Sequence, residues 1–475
     1  MTYAELCEKF CEIESEYKLF DIEYEGSKYW KFARYYVYRV LLNKLYGIHT
    51  PWMETQNVTV VPQYKHWYQR FTDYFFHNVH TAAEKDILLF TFNRRVKCEG
   101  KYVSPVSDEI ALNLKRSHCV VEIPYNCGYY RPTPIWNIKY FDLWNRGEAE
   151  SHDRNRLQVG KLRKQVLLPF EENLDVQFTR EEKYILSLHL NCIILEHKRI
   201  MNNFAGVIQK INPKLVLFSS SYVGDWMILI QTLRQMGIPS VEILHGYVDD
   251  HYLPYNYARA GMHDAQPDYI LVYSEIQKEL VHWGIPKDHI RVVGFPEAEK
   301  RSAQLLSRVK KREKKRILFI SSMQEQIIKY INKLASELNS NQYEIVFKLH
   351  PSEYAVWRDI YKNVPEEVCI VDNNERDIHY YLANSDFVVG INSTALFEAS
   401  YYPVDIFILR EESYQNMEIL IKAGGGSLIQ DESELLHHVL NDNADNSKRD
   451  KCVYKRNAIE NINREIEKIL KERKS

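Results

Sequence analysis

The sequence predicts an α/β protein of two doubly wound, mainly parallel domains facing a cleft, with a helical extension at the N-terminus. Three observations carry this expectation. The chain has 475 residues, more than the roughly 250–300 that one hydrophobic core usually serves. Short β-rich runs alternate with helical patterns in two separate series, as parallel βαβ units require. A charged, core-poor stretch at 298–315, AEKRSAQLLSRVKKREKK, separates the series and reads as a connector, with which a solvated helix is compatible. The resulting boundaries are 1–80 for the helical segment, 81–297 for the first α/β domain and 298–475 for the second, which ends in a charged helix.

In the N-terminal segment, GSKYWKFARYYVYRVLLNKLYG sets Phe32, Tyr36 and Val40, and Trp30, Ala33, Val37 and Leu41, at helical spacing. Lys28, Lys31, Arg34, Arg39 and Lys44 decorate it. Basic and aromatic residues do not separate onto two faces, which favours a helix packed on its domain. The alternative is a helix on an anionic membrane surface, with peripheral contact at the inner face of the membrane.

The first series of strands is DILLFTF (86–92), CVVEIPY (119–125), KLVLFSS (214–220), PSVEILH (239–245) and DYILVYS (268–274), with helices over 180–210 and 223–236. Residues 126–178 read as an insertion. Arg94-Arg95 is either an anion contact or a surface pair. The second series places strands at 316–322, 344–350, 368–372, 386–391 and 404–409. Helices fall at 324–339, 353–362, 375–384, 394–400 and 431–441, and a charged helix closes the chain at about 447–472.

Composition narrows the function classes. Hydrophobic residues make up 45% and charged residues 27%, and the net charge is −2, so no global basic field invites nucleic acid. The eight cysteines form no CxxC pair, which argues against zinc and suits a reducing, cytoplasmic compartment. No window approaches 18 uncharged apolar residues. GxGxxG, Walker A and Asp-x-Asp patterns are missing, so nicotinamide, P-loop and carboxylate-bound metal chemistry find no support.

The chemistry-bearing residues gather at expected strand ends, where open α/β sheets bind ligands. Lys348, His350 and Pro351 follow one strand; the proline keeps His350 out of helical geometry and so projects its imidazole. Asn392, Ser393 and Thr394 follow another and open a helix that carries Glu398 one turn on, placed to meet ribose hydroxyls. Ser321 ends the first strand of this series, where backbone N–H groups meet phosphate. In the first domain His245-Gly246 ends PSVEILH, and His245, Asp225 and Asp250 are candidate general bases. Helix capping for Asp225 and an exposed turn for Asp250 are the competing readings.

The segments LHGY, KELVHWGIPKDHIRVVGFP, RILFISS, FKLHP and DFVVGINSTALFEA, in this order, resemble GT-B glycosyltransferases of bacterial surface polysaccharide synthesis, capsule and lipopolysaccharide included. The likeness covers roughly 214–440. It points to the group with His-Pro and Ser-Thr motifs: sialyl- and polysialyltransferases, Kdo transferases and teichoic-acid glycerophosphotransferases. It implies two Rossmann-like domains, a nucleotide held mainly by the C-terminal one, and contacts to the donor phosphate from His350, Ser393 and Thr394. In the teichoic-acid branch a His-Gly histidine is the base, which maps onto His245. The sialyltransferase branch uses an acidic-acidic-Gly motif, and here Asp249-Asp250 is followed by His251 instead. The expected activity is metal-independent transfer of a sugar from a CMP- or UDP-linked donor to a hydroxyl of a glycan or lipid-linked glycan. The nucleotide sugar is a co-substrate, and no other cofactor is expected. A CDP-glycerol-type polyol-phosphate transferase and a non-catalytic glycan-binding subunit are the alternatives.

Overall fold

The computed structural model describes residues 1–24, 26–47, 73–92, 95–98, 100–123, 130–141, 159–309, 312–441 and 452–472. The chain divides into two compact units. The first comprises Met1–Val272, Gln277–Arg291 and Ile462–Ser475; the second comprises Tyr273–Ile276 and Val292–Asn461.

The first unit is built on a seven-stranded sheet. Its strands are β1 (Ile87–Phe92), β2 (His118–Ile123), β3 (Lys139–Tyr140), β4 (Leu215–Phe218), β5 (Ser240–Ile243), β6 (Tyr269–Val272) and β7 (Ile290–Val292), in the order β7-β6-β5-β4-β1-β2-β3. The pairs from β6 through β3 are all parallel. Strands β4 and β5 are buried at every position, which explains the unbroken apolar run of β4. The long helix Arg180–Ile211 opens on a capping box, in which Thr179 Oγ1 accepts the Glu182 N–H at 3.1 Å and Glu182 accepts the Thr179 N–H at 2.7 Å. Helices Tyr3–Glu16, Trp30–Tyr46 and Gly224–Gln235 join it in one apolar cluster centred on Trp30, Phe170, Phe204 and Trp226.

The N-terminal helices are thus part of the first unit's core. Three of their basic residues are used internally. Arg34, 3% exposed, donates to Glu14 at 2.6 and 3.0 Å and to the carbonyls of Leu253 and Asn256, both at 2.6 Å. Lys31 bonds Asp264 at 2.5 Å and Lys44 pairs with Glu182 at 2.9 Å. Arg95 is likewise not an anion contact: it is buried between Asp108 and Glu122, each at 2.7 Å. Arg94 lies outside the described residues, as do 126–129 and 142–158 of the expected insertion.

The second unit has strands β8 (Lys315–Ile320), β9 (Tyr343–Lys348), β10 (Cys369–Val371), β11 (Phe387–Gly390), β12 (Asp405–Leu409) and β13 (Ser427–Ile429), in the order β10-β9-β8-β11-β12-β13, all parallel. In order of appearance this is 3-2-1-4-5-6, the doubly wound order whose direction reverses between β8 and β11. Both units are therefore Rossmann-like. The expected connector at 298–315 is corrected: over Pro296–Leu306 it is a helix of the second unit, with Ala298 and Ser302 buried and Arg301 paired with Asp377. The helix expected at 353–362 shrinks to a 3-10 turn, Pro351–Glu353, and one turn at Trp357–Ile360. Among the described residues no helix is long and apolar enough to cross a membrane.

The Arg34–Glu14 pair generates a prediction. Arg34→Met leaves a buried carboxylate without its cation and should cost about 3–5 kcal/mol in denaturant unfolding. Adding Glu14→Leu should restore much of that loss, because the uncompensated charge is then gone.

Candidate functional site

The second unit places its polar residues at the reversal point of the strand order. Lys348 and Gly390 both lie opposite Ile320 in register. The loops carrying His350 and Asn392 thus leave the sheet two strand spacings apart, roughly 10 Å, with the loop after β8 between them.

That central loop is tightly held. Ser321 Oγ accepts the His350 N–H at 2.7 Å, and the Ser321 N–H donates to the Lys348 carbonyl at 3.1 Å. Met323 has φ of 60°, in the left-handed region that a side chain disfavours. Glu353, 0% exposed, holds it there by accepting the Met323 N–H at 2.8 Å and the Tyr361 hydroxyl at 3.2 Å.

His350 is exposed at the start of its turn. Its Nδ1 accepts the Ser352 N–H at 3.2 Å and lies 2.6 Å from Ser352 Oγ. A backbone N–H only donates, so Nδ1 is unprotonated and Nε2 carries the hydrogen of the neutral ring. The imidazole therefore offers a donor at Nε2. Pro351 is exposed beside it.

On the other side, Asn392 Nδ2 and Gln324 Nε2 both donate to Ser413 Oγ, at 3.3 and 2.6 Å. Ser393 Oγ caps the helix Thr394–Ala399 by accepting the Ala395 N–H at 3.4 Å, and Thr394 is exposed at its start. Ser322 Oγ and Gln324 Oε1 are buried and find no hydrogen-bond partner among the described residues. Buried polar atoms of this kind are rare without a reason, and a bound polar ligand would supply one.

Two expected contacts turn out differently. Lys348 is not presented to a phosphate. Its ammonium sits 2.9 Å from the Leu349 carbonyl, 2.6 Å from the Tyr354 hydroxyl and 3.3 Å from the Asn373 carbonyl, which occupies its three N–H bonds. Burial lowers its pKa to about 8. Glu398 is bound to His379 Nε2 at 3.2 Å, and His379 Nδ1 lies 2.9 Å from the Tyr402 hydroxyl. Burial pushes the Glu398 carboxyl up, and His379 opposes that shift.

In the first unit, the loops after β4 and β5 carry the candidate bases. His245 is half-buried among aromatic rings: Tyr222 at 5.9 Å and Tyr252 and Tyr255 at 6.2 Å between centroids. Its Nδ1 lies 3.4 Å from the Tyr255 hydroxyl. Asp225 occupies the first turn of the helix Gly224–Gln235, where the positive end of the helix dipole favours a carboxylate. Asp250 pairs with its neighbour His251 at 3.1 Å on a partly exposed turn.

Residues that the sequence reading passed over complete the picture. Glu353, Gln324 and Ser413 shape the loops of the second unit. In the first unit Glu242 lies inside β5, 0% exposed, and its carboxylate accepts the Ser221 N–H at 3.1 Å and the Tyr255 hydroxyl. Burial raises its pKa, and those hydrogen bonds oppose the rise. A carboxylate inside an apolar strand was the available signal. A separate cavity of about 790 Å³ lies at the other end of this sheet, between the segments that lead into β6 and β7. Three of its cations are committed locally: Lys28 to Asp21 at 3.0 Å, Lys31 to Asp264 at 2.5 Å, and Arg234 to the carbonyls of Asp264 and Gln266.

No protein-family model matches the chain, and a search of curated proteins finds no significant relative. Solved structures do resemble it. UDP-GlcNAc 2-epimerase from Neisseria meningitidis, bound to UDP-GlcNAc, aligns with a TM-score of 0.50 at 12% identity, covering 81% of this chain and 100% of that one. A putative UDP-N-acetylglucosamine 2-epimerase from Listeria monocytogenes aligns at 0.48 and 14% identity, over 81% and 96% of the two chains. The wall teichoic acid polymerase TagF aligns at 0.41 and 9% identity, over 82% and 89%. At these identities the likeness is one of fold, and the Neisseria structure carries it.

Two predictions follow from the loop geometry. Glu353→Ala frees the Met323 turn and should cost about 1–3 kcal/mol in urea unfolding, the penalty for stripping a buried N–H of its acceptor. For Lys348 the folded pKa of about 8 lies below the ordinary 10.5. The unfolded chain therefore binds more protons between those values, and stability rises with pH there. Wild type should gain on Lys348→Met as unfolding is followed from pH 8 to pH 10.

Proposed function

We propose that the chain is a metal-independent GT-B glycosyltransferase. It moves a sugar from a CMP- or UDP-linked donor to a hydroxyl of a bacterial surface glycan, of the capsule or lipopolysaccharide kind, or of a lipid-linked precursor, on the cytoplasmic side of the membrane. The observation that carries this reading is the row of polar groups at the reversal point of the second sheet. The exposed Nε2–H of His350, the unpartnered Ser322 Oγ and Gln324 Oε1, and the Asn392-Ser393-Thr394 turn all belong to three neighbouring strand ends.

In this reading the second unit holds the nucleotide. Ser321, through its bond to the His350 backbone, fixes the turn that presents the imidazole. His350 Nε2–H and the Ser393 and Thr394 hydroxyls meet the phosphate oxygens. As the bond between the anomeric carbon and the phosphate oxygen breaks, negative charge grows on the departing nucleotide. Donors already in place stabilise it, and one such donor is worth about 3 kcal/mol. The acceptor hydroxyl attacks the anomeric carbon, and His245 of the first unit takes its proton. Asp225 and Asp250 give way to His245 in this role, since one serves its helix and the other its neighbour.

A thermal-shift panel tests the reading. A nucleotide at 100 times its dissociation constant stabilises the folded chain by about 2.7 kcal/mol. CMP or UDP should raise the melting temperature, NAD and ATP should not, and His350→Ala should abolish the rise. His245→Ala should keep the rise and lose roughly 10²–10⁴-fold in transfer rate, the usual worth of a general base. Indifference to every pyrimidine nucleotide would sink the proposal. Turnover of CDP-glycerol but of no sugar nucleotide would reassign the chain to polyol-phosphate transfer. Conversion of a sugar nucleotide without any acceptor would make it an epimerase, and binding without turnover a glycan-binding subunit.

A further inference from the structure

We infer that Tyr255 and Glu242 are positioning residues for His245, holding its imidazole in the Nδ1–H tautomer so that Nε2 is the nitrogen that receives a proton. The inference deepens the reading of His245 as the acceptor base and rests on it for its catalytic meaning, though not for its structural content.

Hydrogen-bond direction fixes the tautomer. Glu242 Oε1 accepts the Ser221 N–H at 3.1 Å. A backbone N–H only donates, so Oε1 is an acceptor whether or not the carboxyl is ionised; a proton would sit on Oε2. The short contact from the Tyr255 hydroxyl reaches this same Oε1. Tyr255 is therefore the donor there, and its single hydroxyl hydrogen is spent. Towards His245 Nδ1, 3.4 Å away, the Tyr255 oxygen presents only lone pairs. The ring nitrogen facing it must carry the hydrogen. The neutral imidazole then keeps its basic lone pair on Nε2.

The surroundings keep the ring in this orientation. The Tyr255 ring lies at 24° to the imidazole plane, and Tyr222 closes a second side at 60°. Tyr255 is itself fixed, edge-on to Trp283 at 5.8 Å and to Tyr222 at 5.4 Å. Glu242 is on β5, three residues before His245, so strand and base move as one piece. At 3.4 Å the Tyr255–His245 bond is long, as such bonds often are before substrate arrives. When Nε2 takes the acceptor proton, the Nδ1–H becomes a stronger donor to Tyr255, and the Tyr255 O–H stays with Glu242. No proton passes along the chain; the two residues orient the ring and stabilise the imidazolium.

Long-range ¹H–¹⁵N spectra of histidine-labelled protein read the tautomer directly, with His245→Asn to assign the signals. Wild type should show His245 protonated at Nδ1. Tyr255→Phe, which keeps the ring and removes only the oxygen, should shift the signals towards the Nε2–H form, and Glu242→Gln should weaken the preference. Once a donor turns over, Tyr255→Phe should lower kcat by about 100-fold with KM nearly unchanged, the order of a general-base contribution. An Nε2–H tautomer in wild type, or one that neither substitution moves, overturns the inference. If a variant fails to fold, the wild-type tautomer still decides. If no donor turns over, the functional reading fails while the tautomer answers on its own. If transfer proceeds and Tyr255→Phe changes neither kcat nor tautomer, the inference fails and the functional reading stands.

Discussion

A buried carboxylate that grips a backbone N–H at the end of a neighbouring strand is the constraint on which both sheets' functional edges depend. In the second unit Glu353 does this for Met323, and in the first Glu242 does it for Ser221. Each time the gripped turn contains a residue at positive φ that is not glycine: Met323 at 60° and Ser220 at 64°. Such conformations cost about 1–3 kcal/mol and persist only where the surroundings over-determine them. A carboxyl oxygen in the interior is costly too, unless it meets a donor. The two costs offset one another: the turn supplies donors to the carboxylate, and the carboxylate holds the turn.

The consequence reaches the candidate chemistry on both sheets. Because Met323 is held, Ser321 stays beneath the His350 amide and Gln324 stays beside Ser413, which also takes Asn392. Because Ser221 and Tyr255 share one oxygen of Glu242, the orientation of the His245 ring is a property of the sheet and not of a loop alone. The same economy explains the N-terminal helices. Arg34 and Lys31 look like the charged face of a surface helix, yet each is matched within the unit, and the helix is an internal wall of the fold.

Much of this was legible in the residues. The strand segments LVLF of β4 and FVVG of β11 carry no polar side chain because both faces of a parallel strand are covered. His350, Asn392, Ser393 and Ser321 were readable as strand-end residues because proline, serine and asparagine interrupt the runs abruptly. Lys348 was misread for a definite reason: sequence shows that a cation follows an apolar strand but not which way its ammonium points. Three oxygens, from Leu349, Tyr354 and Asn373, settle that, and the last comes from a distant position. The connector at 298–315 was misread because its charged face hides the small buried positions, Ala298 and Ser302, on which the helix packs.

By itself the sequence determined the class of the fold, the alternation of its strands and helices, and which strand ends carry polar chemistry, because periodicity and chain-breaking residues are local properties of the backbone. Only the tertiary structure decided which polar groups are structural and which remain to be met. Arg95, Lys348 and Arg34 are consumed by partners, whereas Ser322 and Gln324 keep an unanswered oxygen at the point where the strand order reverses. A hydrogen bond is directional and joins residues far apart in the chain, so its use is fixed by folding and leaves no trace in composition or spacing.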